Sequence, residues 1–547
     1  MPSHPTSDFR LPTSRPLARY WPWLAAALSG LLLALCFPPF DLAGLSWLAL
    51  TPLIAALWFS EEWKKGEDFR CFFLGYITGA VYFLGCFAWV HTVTILGWLA
   101  LCLYVAVYPA IFAAFVGRVL KPRQSPFESA SIWQKSTNNL RVSILVAATW
   151  VSLEWIRSVL FSGFGWDTLG TALHDNVALI QVCDLTGVGG LSFMLVMVNA
   201  MIVLTAKRLH SEFGHHKLRP HYDFSFTVAI VGVVFAYGAG QVYQKPPESI
   251  SLNIAAVQGN IPVNEKRDLD NEKRILDLHI RRSEQAFAMS PDLLIWPEAA
   301  TPRPIYDEDT GTAIKALAER APGDFLLGTV SGDQDGVYNS ALLFTDGGQQ
   351  HKFYNKIHLV PYGEYVPMRH SFPPLAWAIG DLVPDDFAFG QGPVVLQMSK
   401  KDIKLAPLIC FEDTLGDLAR RFVLKGAQVF VTITNDGWFL RSAESQQHLN
   451  NAIFRCAETK LPMIRSANTG ISCIVDRLGR VITVLADETG NTFIEGTLFA
   501  RQVEVPKKPA LTFYVRYGEV FTYACIALTA LAGVVAFFRR ERRSSAN

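Results

Sequence analysis

Residues Cys71 to Gly117 read CFFLGYITGAVYFLGCFAWVHTVTILGWLALCLYVAVYPAIFAAFVG, 47 positions without an Asp, Glu, Lys or Arg. A helix needs about 20 apolar residues to cross the hydrocarbon core of a bilayer, so this stretch is too long for one crossing and long enough for two. We place the turn between the two helices at His91–Thr94. The stretch therefore predicts a membrane protein.

Six other apolar runs approach the length of a membrane span. Together with the pair in Cys71–Gly117 they predict a bundle of eight transmembrane helices. The composition agrees, because 50% of the 547 residues are hydrophobic and only 18% are charged, against about a quarter in soluble domains. A disordered, fibrous or purely soluble chain is thereby excluded. The six runs are Trp21–Phe37, Ala43–Phe59, Val142–Phe161, Gly189–Ala206, Phe224–Gly240 and Val520–Phe538.

Lysine and arginine fall on one side of this predicted bundle. The termini and loops on that side hold 19 of them, whereas the alternate connections Pro38–Leu42, His91–Thr94 and Ser162–Val188 hold none. Loops rich in Lys and Arg remain in the cytoplasm. The count predicts cytoplasmic termini and an extracytoplasmic segment between spans 7 and 8. The net charge of only +1 lacks the basic footprint of a nucleic-acid-binding protein.

Between about Ser249 and Val505, charged residues return and short β-like runs alternate with amphipathic helices, which predicts a layered α/β domain. The chain divides into a transmembrane domain at 1–248, this α/β domain at 249–505, and span 8 with a basic tail at 506–547. The expected strands are Leu252–Gln258, Leu293–Trp296, Phe325–Val330, Asn339–Phe344, Leu405–Ile409, Val429–Thr434, Met463–Ser466, Ser472–Val475, Val481–Val484 and Phe493–Leu498. The expected helices are Glu272–Ala288, Ala313–Arg320, Leu415–Lys425 and Ser445–Lys460.

The α/β segment carries no sequence pattern for a metal or a nucleotide. Its cysteines, Cys410, Cys456 and Cys473, are odd in number and lack a CxxC spacing, which argues against a disulfide framework or a zinc site. A Gly-rich phosphate loop and a dinucleotide-binding fingerprint are both missing from the sequence. We expect chemistry that uses neither a metal nor a cofactor.

Reactive side chains stand where predicted strands end, which is the edge of an α/β sheet that binds ligands. Glu298 follows one strand in DLLIWPEAA, and Cys410 follows another in LAPLICFED, just before a predicted helix. A nearby helix N-terminus lowers the pKa of a thiol and favours the thiolate, so we expect a lowered pKa for Cys410. Lys356 and Glu364 lie in the turn-rich segment YNKIHLVPYGEYVP.

A glutamate, a lysine and a cysteine make a chemically complete set. The carboxylate takes the thiol proton, the sulfur attacks a carbonyl carbon, and the ammonium stabilises the resulting oxyanion. Each residue taken alone has an ordinary explanation, because a lone cysteine is usually part of a core and a lone Glu or Lys is usually at the surface. Spacing by itself leaves both interpretations open.

The motifs resemble those of a known family. WPEAA, YNKIHLVPYGEYVP and LAPLICFED, in that order, are similar to the Glu-Lys-Cys signatures of the nitrilase (carbon–nitrogen hydrolase) superfamily. The strings VQGNIP (257–262), NDGWF (435–439) and EWIRSVLFSGFGW (154–166) resemble its membrane branch, the apolipoprotein N-acyltransferase family. The resemblance covers nearly the whole chain. It implies an eight-helix bundle with an extracytoplasmic α-β-β-α sandwich before the last span.

The resemblance also implies residue roles. Glu298 would be the general base, Lys356 the oxyanion partner and Cys410 the nucleophile, with Glu364, and Glu412 with its neighbour Phe411, in support. Two positions depart from the family pattern, because Phe411 stands where Tyr is usual and Arg267 where Trp often follows NIP-x-x-x-Lys. Residues expected to contact substrate are Trp377, Phe389, Trp438 and Arg267.

The activity that the resemblance implies is transfer of an acyl chain from a phospholipid, typically phosphatidylethanolamine, to the α-amino group of a diacylglyceryl-cysteine lipoprotein. The location it implies is the bacterial inner membrane, with a periplasmic catalytic domain, and we expect a monomer. Two other functions remain open: a membrane-tethered amidase that uses water as second substrate, and a non-catalytic lipid or lipoprotein carrier. The apolar loop Ser371–Gln391 is a candidate lid, or it simply packs on the domain.

Glu154 and Arg157 interrupt the fifth predicted span three residues apart, on one helical face. Ionisable residues inside a membrane mark either a functional site or a buried pair. We favour the structural interpretation, in which the two side chains neutralise each other and reach toward one end of the helix.

Overall fold

The computed structural model describes residues 16–60, 67–122, 131–214, 216, 218–266, 268–369 and 385–544. The chain divides into two compact units. Unit 1 comprises Met1–Gln241 and Glu519–Asn547, and unit 2 comprises Val242–Gly518. The segments next to the predicted domain boundaries, 242–248 and 506–518, thus group with the α/β unit.

Unit 1 is built from apolar helices. Its helices are α1 (Pro16–Leu35), α2 (Thr51–Phe59), α3 (Glu67–Cys86), α4 (Ile95–Val105), α5 (Val107–Arg118), α6 (Ile132–Val159), the short α7 (Val177–Ile180) and α8 (Cys183–Thr186), α9 (Gly189–Gly214), α10 (Tyr222–Val242) and, after unit 2, α17 (Val520–Ser544). Among the described residues, six segments are long and apolar enough to cross a membrane.

These six segments include the two halves of the uncharged stretch from Cys71 to Gly117, as predicted. The first two predicted spans coincide with shorter apolar segments, Tyr20–Leu35 and Ala43–Phe59. In the second of these, a 3-10 turn at Ala43–Trp47 separates a helix of only nine residues from the preceding chain. The apolar bundle is confirmed, and the count of eight spans stays a prediction.

Small residues let the helices of unit 1 approach closely. A Cβ atom added at Gly75 on α3 would lie 2.2 Å from the carbonyl oxygen of Pro109 on α5. Gly79, one turn later, would place its Cβ atom 2.8 Å from the Ala106 Cα atom. Such contacts replace the hydrophobic driving force that helices lack inside a bilayer. A larger side chain at either glycine would separate the two helices.

Glu154 and Arg157 both lie on α6 and line a small, partly open pocket whose other walls are mostly aromatic rings. Glu154 accepts hydrogen bonds from the Trp150 indole at 2.8 Å and from the Leu169 backbone N–H at 2.7 Å. Arg157 is only 3% exposed and stacks over the Phe83 ring at 5.2 Å. Arg157 lies in the last turn of α6, and its guanidinium reaches the Asp167 carbonyl oxygen at 3.5 Å, so the side chain is held inside unit 1 rather than exposed to solvent.

Unit 2 contains two six-stranded sheets. The first has the order β12-β1-β2-β3-β4-β5 and the second β11-β10-β9-β8-β7-β6. Pairs β1–β2, β2–β3, β7–β8 and β8–β9 are parallel, and the flanking pairs are antiparallel. The strands are β1 (Ser249–Gln258), β2 (Leu293–Ile295), β3 (Asp324–Gly332), β4 (Val337–Thr345), β5 (Gln350–Asn355), β6 (Leu396–Gln397), β7 (Lys404–Ile409), β8 (Val429–Thr434), β9 (Met463–Ala467), β10 (Cys473–Val475), β11 (Val481–Val484) and β12 (Gly496–Pro506).

The two sheets stack on each other with helices outside, as an α-β-β-α sandwich. Across the sheet interface the Ser466 hydroxyl donates to the Val257 carbonyl, and the Ser472 hydroxyl donates to the Gln258 side chain at 2.6 Å. Apolar faces of the helices cover the outer surfaces, including Ile314 and Leu317 against the first sheet. The helices are α11 (Val263–Lys266), α12 (Glu272–Phe287), α13 (Glu308–Arg320), α14 (Gly416–Leu424), α15 (Glu444–Thr459) and α16 (Phe513–Tyr517).

The predicted α/β elements are confirmed apart from shifts at their ends, except that the last predicted strand, Phe493–Leu498, shares only its final three residues with β12 (Gly496–Pro506). Val429–Thr434 and Val481–Val484 match without a shift, and the four predicted helices correspond to α12 through α15. Two strands were not predicted, β5 and the two-residue β6. In β5 the first residues are polar and exposed, so the run lacks the continuous apolar character that marks its buried neighbours.

Candidate active site

Cys410 stands at the carboxyl end of β7, where the chain leaves the sheet in a 3-10 turn, Cys410–Thr414. Its φ angle is +53°, in the left-handed region that residues other than glycine rarely adopt. Backbone strain of this kind persists where the surrounding structure holds it, and it clusters at functional sites. The turn therefore places the thiol at the sheet edge in a conformation that local propensity alone would not select.

The environment of the Cys410 thiol differs from the sequence expectation. Burial raises the pKa of the thiol well above its ordinary value, and Glu298 raises it further, whereas Lys356 and Thr434 act in the opposite direction. The expected lowering by a helix N-terminus is wrong, because α14 begins only at Gly416, beyond the 3-10 turn. The thiol is therefore protonated at rest, and its activation needs a base.

Glu298 lies in the turn that follows β2, at 8% exposure. Burial raises the pKa of its carboxyl group, although the charge on Lys356 opposes that shift. The turn packs tightly on β3, since a Cβ atom added at Gly328 would lie 2.4 Å from the Pro297 carbonyl oxygen and 2.6 Å from the Glu298 Cα atom. Gly328 thus permits the close approach that fixes the carboxylate.

Lys356 follows β5 directly and is 1% exposed. Its ammonium nitrogen lies 2.9 Å from a carboxylate oxygen of Glu364 and 3.5 Å from one of Glu298. Burial would lower the pKa of Lys356, but these two carboxylates outweigh it and raise the pKa above its ordinary value. The lysine therefore remains a cation in a buried site, and its positive charge interacts electrostatically with the Cys410 sulfur.

Asn339, at the start of β4, joins the two carboxylates. Its side-chain amide donates to Glu298 at 2.7 Å and to Glu364 at 2.9 Å. The Asn339 carbonyl also accepts the Lys356 backbone N–H at 2.8 Å. From the sequence, Asn339 was placed only as the first residue of a predicted strand. Its polar side chain in a buried strand is the one sequence feature that could have indicated a functional role. The structure thus adds a residue that is hydrogen-bonded to Glu298, Glu364 and Lys356.

Glu412 connects the Cys410 turn to the Lys356 loop. Its fully buried carboxylate accepts the backbone N–H groups of Ile357 at 2.7 Å and His358 at 3.1 Å. It also accepts the Tyr354 hydroxyl at 2.8 Å and the N–H of Ile409, which directly precedes the cysteine, at 2.9 Å. The predicted supporting position of Glu412 therefore corresponds to a bridge between the two loops that carry the lysine and the cysteine.

Phe411 lies on the other side of this turn and stacks its ring on His358, with ring centroids 5.5 Å apart. Burial lowers the pKa of His358, as does the nearby Lys356 charge, so the imidazole is neutral against the phenyl ring. An aromatic ring is sufficient for this contact. Phe411 therefore packs against His358 without the hydroxyl group that a tyrosine, the usual residue of the family pattern, would add at this position.

Two of the four residues predicted to contact substrate, Phe389 and Trp438, lie in the described part of the chain. Phe389 is 54% exposed, and its ring packs edge-on against Tyr365 at 5.2 Å. Trp438 is 41% exposed in the 3-10 turn that follows β8. Trp377 and Arg267 lie outside the described residues, as does most of the candidate lid. The described end of that loop is attached to the Lys356 segment, since the Phe387 N–H donates to the Glu364 carbonyl at 3.0 Å.

A buried charge network lies behind the cysteine turn, and sequence reasoning missed it. His448 on α15 contacts Asp413 at 2.9 Å and Asp436 at 3.2 Å, and Arg465 on β9 pairs with the same two carboxylates. All four side chains are at most 1% exposed. Burial and Arg465 would lower the pKa of His448, but Asp413 and Asp436 raise it to about 10. Glu444 lies 3.6 Å from the His448 Nδ1 atom, and the Arg465 guanidinium lies 2.9 Å from that same atom, so three buried carboxylates surround these two side chains.

Ligand-type side chains gather at this network and at one other place among the described residues. Asp436, Glu444 and His448 bring their ligand atoms within 4.8 Å of one another. Arg465 lies 3.4 Å from Asp436 and supplies positive charge where a metal ion would. The second group is more exposed, which is common for acidic clusters without a metal, and consists of Asp41, His174 and Asp175.

The arrangement has the parts needed for acyl transfer through a covalent intermediate. The three predicted residues come from three separate chain segments; Glu298 and Lys356 are buried 3.5 Å apart, and both charges act on the partly exposed Cys410 thiol. In chemical terms, a thiol, a carboxylate with a raised pKa and a fixed ammonium can serve as nucleophile, general base and oxyanion partner.

Comparisons with known proteins agree with the two-unit architecture. Residues 29–201 match the model of the apolipoprotein N-acyltransferase N-terminal domain, and residues 253–501 match that of the carbon–nitrogen hydrolase family. The apolipoprotein N-acyltransferase of Geobacter metallireducens is 33% identical over 95% of this chain and 96% of its own length. That of Rickettsia bellii is 29% identical over 92% of this chain and 95% of its own length.

Among solved structures, a carbon–nitrogen hydrolase superfamily protein from Xanthomonas campestris is 18% identical, with a TM-score of 0.33, over 46% of this chain and 91% of its own. The matches to the curated relatives extend through both units, and the matched hydrolase family corresponds to unit 2. The apolar helices of unit 1 fit a membrane location. On these grounds the chain belongs to the apolipoprotein N-acyltransferase family, with a nitrilase-like unit inserted before its last apolar helix.

Proposed function

We propose that this chain moves a fatty acyl group from a membrane phospholipid to the α-amino group of a diacylglyceryl-cysteine lipoprotein, through a thioester on Cys410. One observation carries the proposal: the Lys356 ammonium is 3.5 Å from Glu298, and both charges act on the Cys410 thiol. The names of the relatives support acylation of lipoproteins. Phosphatidylethanolamine is the proposed donor.

The first half-reaction forms the thioester. Glu298 takes the thiol proton as the Cys410 sulfur attacks the ester carbonyl of the phospholipid. Lys356 stabilises the negative charge that develops on the carbonyl oxygen. The C–O bond then breaks, Glu298 returns its proton to the leaving alkoxide, and the lysophospholipid departs.

The second half-reaction forms the amide. The amine of the lipoprotein attacks the thioester carbonyl, and Glu298 takes a proton from the attacking nitrogen. The C–S bond breaks, and the proton held by Glu298 goes back to the Cys410 sulfur. Both half-reactions use the same base and oxyanion partner, and the Cys410 sulfur is the nucleophile of the first and the leaving group of the second, as expected for ping-pong chemistry that needs no metal and no cofactor.

The proposed setting is the bacterial inner membrane, with unit 2 in the periplasm, both termini in the cytoplasm and the chain acting as a monomer. The asymmetry of Lys and Arg supports this orientation. Cysteines placed in Lys207–Arg219 should then resist impermeant thiol reagents in spheroplasts, and cysteines in Gly332–Val337 should react. Labelling of the first segment from outside would reverse the orientation. Trp377, Phe389, Trp438 and Arg267 are the proposed substrate contacts.

A hydrolase would use the same three residues with water in place of the amine. Eight predicted spans exceed what an anchored hydrolase needs, and a carrier would have no use for the coupled triad. The test is incubation of the purified full chain with isotopically labelled phosphatidylethanolamine, with and without a diacylglyceryl-cysteine peptide. Transfer of label to the peptide is the expected result. Release of free fatty acid at the same rate without the peptide would instead establish a hydrolase.

A further inference from the structure

We propose that Lys266 is a positioning residue for the general base: its ammonium holds the strained turn that carries Glu298. The inference rests on the proposed function of Glu298. Lys266 ends the short helix α11. Its Nζ atom donates to the Ala299 carbonyl oxygen at 3.0 Å and to the Glu298 carbonyl oxygen at 3.5 Å.

The turn that Lys266 contacts needs external support. Ala299 has a φ angle of +46°, which is unfavourable for a residue with a Cβ atom. The turn makes its other backbone bond through Ala300, whose N–H donates to the Gly328 carbonyl at 2.9 Å. The carbonyl oxygens of residues 298 and 299 receive the ammonium. Without this cation the two carbonyls would lose a charge-assisted donor, and the strained turn would be free to relax.

The chain segment that leads to Lys266 is itself held by hydrogen bonds, so the lysine can fix the position of the turn. The segment before α11 is bonded to the residue that directly follows β9, since the Asn260 N–H donates to the Asn468 carbonyl at 2.7 Å. The Asn468 amide donates in return to the Ile261 carbonyl at 2.8 Å and to the Asn435 side chain at 2.9 Å. Lys266 therefore connects the second sheet, which carries Cys410, with the turn of the first sheet that carries Glu298.

The charge of Lys266 is sensitive to pH. Burial lowers the pKa of this lysine to about 8, although Glu298 opposes the shift. Lys266 also influences His279 on α12, and burial together with Lys266 lowers the pKa of that histidine to about 4. His279 is therefore neutral near pH 7. The ammonium that supports the turn is present below about pH 8 and is lost above it.

The test measures the rate of acyl-adduct formation on the full chain mixed with phosphatidylethanolamine in detergent micelles, between about pH 6 and 9.5, by intact-protein mass spectrometry. Lys266→Met should slow the adduct about 10- to 100-fold, as expected when a catalytic group is misplaced by about 1 Å. Lys266→Arg, whose charge does not titrate in this range, should restore the rate at pH 7 and remove the decline above pH 8. The exposed Lys273→Met is the matched control and should match the wild type.

A wild-type rate in Lys266→Met, or an unaltered alkaline decline in Lys266→Arg, would overturn this inference. If Lys266→Met does not fold, the pH profile of Lys266→Arg alone decides between these outcomes. Cys410→Ala, run in the same series, separates the two claims. An adduct that persists in Cys410→Ala, or no adduct in the wild type, contradicts the proposed function and this inference with it. A normal adduct in Lys266→Met contradicts only the role of Lys266.

Discussion

The Tyr354 hydroxyl donates a hydrogen bond to the Glu412 carboxylate at 2.8 Å, deep in the core of unit 2. This contact joins the strand that leads to Lys356 with the turn that carries Cys410. Because Glu412 also accepts the N–H groups of Ile357 and Ile409, it fixes both loops from one carboxylate. The separation of lysine and cysteine therefore depends on a residue that need not touch substrate.

Replacing Glu412 with Gln should weaken both folding and catalysis. Each carboxylate oxygen accepts backbone or hydroxyl hydrogens, so an amide NH₂ in place of either oxygen sets donor against donor. We expect a loss of about 3 kcal/mol in the free energy of unfolding and a marked drop in acyl-adduct formation. Thermal unfolding in detergent measures the first effect. The exposed Glu319→Gln is the control, and equal behaviour of the two variants would contradict the bridging role.

Lys356→Ala should retain phospholipid binding and lose turnover. The substitution removes the cation that faces the developing oxyanion, and the expected cost is about 10²-fold or more, by analogy with loss of an oxyanion-hole donor. It also leaves the buried carboxylates of Glu298 and Glu364 without their shared cation. Single-turnover kinetics at saturating phospholipid separate the two effects. A large rise in the half-saturating phospholipid concentration at unchanged maximal rate would assign Lys356 to binding instead.

The fall in the rate of thioester formation at low pH should reflect protonation of the Glu298 carboxylate. Only the ionised carboxylate accepts the thiol proton, and burial raises its pKa, so thioester formation should fall as pH drops through a value above the ordinary range for glutamate. The Asn339 amide bonds to the carboxylate and lowers that pKa. In Asn339→Ala the initial rate of adduct formation should therefore begin to fall at a higher pH than in the wild type. If the rate falls at the same pH in Asn339→Ala and the wild type, Asn339 does not lower the pKa of Glu298.

The His448 network should stabilise the fold in a pH-dependent way. The folded-state pKa of His448 is raised to about 10, above the unfolded value of about 6.5. Its stabilisation is therefore complete below about pH 6.5 and disappears as pH rises through about 10. His448→Gln should lower stability by about 1.5–3 kcal/mol at pH 6, because Asp413 and Asp436 lose one charged donor while Arg465 still pairs with both. The difference in melting temperature from the wild type should narrow toward pH 10, whereas the exposed His351→Gln should show little difference at any pH.

The parts of the fold that the sequence predicted share one property, a local pattern. Val429–Thr434 is a run of six buried residues and was placed without error, whereas β5 begins with exposed polar residues and was not recognised as a strand. Glu298 and Cys410 were found because each follows a predicted strand and lies in a motif, whereas Lys356 was found from its motif alone. Asn339 carries no such motif, and its importance appears only when Glu298 and Glu364 are brought together.

Two further features needed the three-dimensional structure for physical reasons. The charge network joins Asp413, Asp436, His448 and Arg465, which are separated by up to about 50 positions in the chain, and long-range pairing leaves no periodic signal. The pKa of the Cys410 thiol was predicted in the wrong direction because burial, which a sequence does not display, outweighs any effect of the following helix.

The central claim, a thioester on Cys410 formed with Glu298 as base, is tested most directly by intact-protein mass spectrometry after mixing the chain with phosphatidylethanolamine alone. The account predicts an added acyl mass on the wild type that maps to Cys410, is absent from Cys410→Ala and Glu298→Gln, and is unchanged in Cys456→Ala and Cys473→Ala, whose buried thiols lie in a helix and a strand. An adduct of undiminished yield in Cys410→Ala, or normal acylation in Glu298→Gln, would contradict it.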